Sequence, residues 1–138
     1  MRRMAQGGIA AIAVLIAGAS TAQQAPVTMD ALYVAQHLDV MSFPNAMHPR
    51  RRDGATLPMD YGFTHFSPIE HGVAAMEDDG SWYFGVTILA DHGKRKRLCI
   101  LDQAQNGGSY RTAFPIDVQL GDDGLFHAVG TTDPHASC

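Results

Sequence analysis

Recognisable catalytic and ligand-binding motifs are what this chain lacks. It has no Gly-x-Ser-x-Gly elbow and no phosphate-binding loop, which removes the sequence grounds for a serine hydrolase or nucleotide enzyme. Beyond residue 22 it has no Cys-x-x-Cys, no His-Glu-x-x-His, and no tight His-x-His or Met-x-x-Met repeat, so no metal-ligand spacing is present. No apolar run after residue 22 approaches the roughly 20 residues that span a bilayer. Charged residues make up only 17% of the chain, and the formal net charge is −4. That balance excludes whole-protein attraction to nucleic acid.

The N-terminus is the most informative segment present. Arg2 and Arg3 precede an apolar run, Ile9 to Ala17, and small residues lead to Ser20-Thr21-Ala22 before Gln23-Gln24. A positive start, a short apolar stretch and a small-x-small end form the pattern of a secretory signal peptide. The expectation is export with cleavage after Ala22, to the periplasm or outside the cell. That divides the chain into a signal over 1–22 and one domain over 23–138, long enough for a single hydrophobic core. Loss of Arg2 and Arg3 leaves 8 basic against 14 acidic residues, a net of −6.

Only two cysteines occur, Cys99 and Cys138. Export makes a disulfide between them permissible. It would close a loop of about 39 residues and tie the last residue onto the domain, worth on the order of 4 kcal/mol in the chain-entropy account. The competing reading is a buried, inert Cys99 beside a free terminal thiol.

Residues 23–27 read as a mobile leader. Thr28 can cap a helix over about 29–39, on the spacing of Met29, Leu32, Tyr33, Gln36 and Val40 with Val34 and Leu38. From Met41 to Gly62, Pro44, Pro49, Pro58, Gly54 and Gly62 break regular structure. The apolar residues of that stretch predict an ordered loop lying on the rest of the fold. Strands follow at Gly72 to Met76, Ser81 to Leu89, Arg97 to Ala104, Tyr110 to Leu120 and Leu125 to Thr131, with Gly- and Asp-rich turns between them. Tyr110, Thr112, Phe114, Ile116, Val118 and Leu120 share one face, and Pro115 marks that strand as an edge or as bulged. Trp82, Phe84, Val86 and Ile88 share a face of a strand whose other side is also rather apolar, which predicts a central strand. The fold class is α+β: one N-terminal helix packed on a four- to five-stranded antiparallel meander, with a small closed barrel as the alternative. The order resembles the helix-then-meander plan of cystatin-like and NTF2-like folds, a likeness of fold that implies no activity.

Seven of the eight basic residues after the signal sit in two runs, Arg50-Arg51-Arg52 and Lys94-Arg95-Lys96-Arg97, with Arg111 apart. Clustered cations can make a local anion site in an acidic chain, and arginine suits carboxylate or phosphate. The runs are expected to converge and to meet an acidic protein or an anionic envelope component. The plainer reading is two solvated turns, the second also blocking edge-to-edge pairing. Phe43, Tyr61 and Phe63, with Pro44, mark a groove beside the first run, while Trp82, Tyr83 and Phe84 read as core. Met41, Met47, His48, Met59, His65 and His71 are soft ligands within one stretch that could hold copper. Glu70 and His71, with His65 nearby, could serve acid–base chemistry, but neighbours on a strand face opposite ways.

The sequence therefore favours an exported, non-enzymatic binding or inhibitor-like protein acting through the 43–63 loop and the 94–97 turn. It implies no cofactor. A small enzyme with a pocket between helix and sheet is the second reading, and a Met/His metal binder the third.

Overall fold

A computed structural model describes residues 25–44, 49–130, 133 and 136–138. The signal-like segment, Gln23-Gln24, Met47 and His48 lie outside the described residues.

Helix α1 runs Ala25–Gln36. It begins four residues before the expected start, so residues 25–27 are helical and Thr28 lies inside the helix and does not cap it. Pro26 is compatible with this, because the first turn has no intrahelical acceptor for its missing N–H. The buried stripe is Ala31, Val34, Ala35 and Leu38, each with no exposed surface. Leu32 is only half-buried and Tyr33 is exposed. Small alanines bring the backbone close to the sheet, and the larger apolar residues flank that contact. The helix ends because its last turn passes its bonds to the sheet. Phe126 N–H donates to His37 C=O at 2.8 Å, and Asp39 N–H donates to Phe126 C=O at 2.9 Å. Leu38 forms an isolated parallel bridge with Phe126.

Six antiparallel strands follow in one open meander, each paired with its neighbours in chain order. They are β1 Phe66–Ile69, β2 Gly72–Met76, β3 Trp82–His92, β4 Arg95–Ala104, β5 Arg111–Leu120 and β6 Phe126–Ala128. The α+β class stands. The strand count of four to five becomes six, and the sheet is open, not a closed barrel. The unforeseen strand is β1, four residues that include Pro68. Proline is tolerated there because β1 is an edge. Pro115 lies where β5 has β4 on one side only, since β6 pairs just with Val118 to Leu120.

The inward face is built in rows across the strands. Val73, Val86, Ile100 and Phe114 stand directly opposite one another on β2 to β5. All four are buried. The next row is Ala75, Phe84, Asp102 and Thr112. Helix α1 covers the β2–β3 part of this face. Two short 3-10 turns, Val40–Ser42 and Pro58–Tyr61, carry the loop across more of it. Phe43, Tyr61 and Phe63 join the core from that loop. On the outward face, Thr87, Cys99 and Pro115 form a row. There Cys99 is bonded to Cys138, with their Cα atoms 5.9 Å apart. The disulfide fastens the C-terminus to the second face of the central strands.

Candidate functional site

The register keeps the two basic runs apart. Arg95 stands opposite His92 at the β3–β4 turn. Arg52 instead sits 4.4 Å over the ring of Tyr61, and the next residue, Gly62, accepts from Asp78 N–H in the β2–β3 turn. These turns cap opposite ends of β3, separated by on the order of 30 Å of strand. The expected convergence therefore does not occur.

The second run is also largely matched by its own neighbours. Asp117 receives Arg95 at 3.2 Å and Arg97 at 3.6 Å, and Lys96 meets Asp91 at 2.6 Å. In the first run Arg52 donates to Asp60 C=O at 2.8 Å, and Arg50 and Arg51 are exposed. Arg111 is exposed opposite Gln103, on the face away from Asp102.

The residues named for other chemistry are scattered too. Glu70 and His71 form the exposed β1–β2 turn, their side chains 3.6 Å apart, with His71 at φ 59°. Thr64 and Nδ1 of His65 share a hydrogen bond of 2.8 Å. Met41 Sδ accepts from Tyr61 O–H at 2.9 Å, and Met59 is exposed. Among the described residues no three His, Cys, Asp or Glu side chains gather as a metal set.

What the fold does assemble is a cavity of about 330 Å³ between the loop and the inward face of the sheet. The sheet side is Trp82 and Phe84 from β3 with Ile100 and Asp102 from β4. Period-two alternation puts all four on one face. The loop side comprises Val40, Phe43, Pro49, Pro58, Tyr61 and Phe63, and Glu77 and Tyr110 complete the lining. The three aromatics expected as a groove, Phe43, Tyr61 and Phe63, thus share one cavity.

Its loop wall is held by several backbone ties. Asp60 accepts from the N–H groups of Thr56 and Leu57 at 2.9 and 2.8 Å. Those bonds hold its carboxyl below the usual range. Val40 N–H donates to Thr56 C=O at 3.0 Å. Gly62 ends the second 3-10 turn at φ 88°, a left-handed conformation that glycine adopts without strain. Its carbonyl then accepts from Asp78 N–H at 2.9 Å, locking the loop to the β2–β3 turn.

The polar centre of the cavity is Asp102. Trp82 Nε1–H donates to its Oδ1. The Tyr110 phenol stands near the same carboxylate, and the Trp82 and Tyr110 rings lie 5.4 Å apart at 30°. Burial pushes the Asp102 carboxyl up, against the polar hydrogens of Trp82 and Tyr110, which favour its charged form. Burial and the adjacent Asp102 charge push the Tyr110 phenol up. No ion pair reaches Asp102 among the described residues. Glu77 Oε2 accepts from Ser81 O–H at 2.8 Å.

Asp102, Glu77 and Tyr110 did not stand out in the sequence. The signal for Asp102 was nevertheless there: Leu98, Ile100, Asp102 and Ala104 alternate on one face of β4, and a carboxylate interrupts it. Comparison with protein-family models, curated proteins and solved structures finds no match to the chain.

Proposed function

We propose that this chain is an exported, non-enzymatic binding protein whose ligand occupies the aromatic cavity beneath the 43–63 loop. The observation that carries this reading is the cavity's make-up. Apolar and aromatic walls surround a small convergent polar group, Asp102 with Trp82 and Tyr110, which is the usual composition of a small-molecule site. Export rests on the signal-like N-terminus, and the Cys99–Cys138 bond suits an oxidising compartment. Among the described residues no helix is long and apolar enough to cross a membrane.

The raised carboxyl of Asp102 favours a second reading, an acid–base enzyme using the same cavity. Binding is preferred because the described lining residues include no histidine, serine, cysteine or lysine to share the chemistry.

Trp82 is the only tryptophan of the chain and lines the cavity, so its emission reports occupancy. The neutral reporter phenylnaphthylamine should bind saturably, one per chain, with energy transfer from Trp82. An Ile100→Phe variant, which adds volume inside the cavity, should weaken that binding about tenfold or more. Absence of saturable binding, or binding unchanged by Ile100→Phe, would contradict the reading.

A further inference from the structure

We infer that the ligand is a small organic cation, an apolar body ending in a protonated amine, with Asp102 as its counter-ion. This deepens the cavity reading and rests on it. Among the described residues, the cavity lining holds two carboxylates, Asp102 and Glu77, and no lysine, arginine or histidine. Of the described cations near it, Arg50 and Arg51 are exposed and lie outside the lining, and the other two are directed elsewhere. Arg52 is stacked on Tyr61 and bonded to Asp60 C=O, and Arg111 points to the other face of the sheet.

A half-buried carboxylate without a cation is costly to keep in an apolar surround. Here a neutral donor, the Trp82 indole, holds it in place beside the Tyr110 phenol and leaves acceptor capacity free. An incoming ammonium would meet that carboxylate together with the faces or edges of Trp82 and Tyr110. Tryptophan is the best aromatic partner for a cation. A ligand carboxylate or phosphate would instead meet two like charges.

The test is a matched set, phenylbutylamine, phenylbutanol and phenylbutanoate, titrated by Trp82 emission. The amine should bind about tenfold tighter than the alcohol, and the alkanoate weakest. In Asp102→Asn the amine should lose its advantage over the alcohol. Because burial raises the Asp102 carboxyl, its ionised form opposes folding. Asp102→Asn should therefore unfold at an equal or higher urea concentration, which separates loss of recognition from loss of fold. Equal binding of amine and alcohol, with the neutral reporter still bound, overturns the cation inference and leaves the cavity reading intact. An amine preference that survives Asp102→Asn overturns the counter-ion assignment. Failure of every probe, reporter included, overturns both readings.

Discussion

His127 is the residue on which the closure of β6 over the loop turns. Its Nδ1 lies 2.9 Å from Asp39 Oδ2 and its Nε2 lies 2.9 Å from Asp123 Oδ2. Asp39 in turn accepts from Met41 N–H at 2.9 Å, capping the first 3-10 turn. The hydrogen bond to Asp123 is the main cause that holds the imidazole above its ordinary value of 6.5; burial opposes it, and the hydrogen bond to Asp39 adds to the rise. A group raised on folding stabilises in full below its unfolded value and loses that contribution as pH climbs through the folded one. Asp123 is lowered, first by the hydrogen bond from His127, so its contribution is lost as pH falls below the ordinary 3.8. The urea midpoint should therefore fall as pH rises from mildly acidic to mildly alkaline, and His127→Gln should flatten that limb. A midpoint that rises over this range would contradict the clamp. Nothing in the sequence pairs His127 with Asp39, because 88 residues separate them and the contact exists only once β6 meets the loop. Asp102 was more legible, since its inward position follows from alternation in β4 alone. The indole that holds it and the phenol beside it come from two other segments of the chain.

At the scale of elements, periodicity located β2 to β5 to within a few residues, because each combines alternation with glycine-rich turns. It missed β1, where Ser67 and Pro68 remove the usual strand signal and pairing to β2 supplies the order. It read the apolar stripe of α1 only in part: Val34 and Leu38 are buried as expected, but Ala31 and Ala35 complete the stripe in place of Leu32 and Tyr33. The larger side chains Leu32 and Tyr33 suggest one face, but close approach to β2 and β3 selects Ala31, Val34, Ala35 and Leu38. Leu38 is the last of these and also bridges to Phe126, so it joins helix, loop and sheet. Leu38→Ala should cost about 3 kcal/mol in urea unfolding followed by Trp82 emission. A cost under about 1 kcal/mol would mean that the helix end is not fixed by this packing.

At the scale of the molecule, one face of the sheet carries the helix and the loop with its cavity, and the other carries the disulfide. The two should respond separately. Replacing Cys99 and Cys138 by serine should lower stability by up to about 4 kcal/mol, by relaxing the unfolded chain. The same variant should still bind phenylnaphthylamine, since neither cysteine lines the cavity. Loss of binding in a variant that remains folded would show that the two faces are coupled.

The proposed recognition lies in the cavity and not at the basic runs. Backbone and indole NMR shifts of the labelled protein, followed as phenylbutylamine is added, test it most directly. Changes are expected at the Trp82 indole N–H, around Asp102 and Tyr110, and in the 3-10 turns at 40–42 and 58–61, with residues 92–97 unchanged. Changes centred on Arg50 to Arg52 or on Lys94 to Arg97, with a silent Trp82 indole, would contradict it.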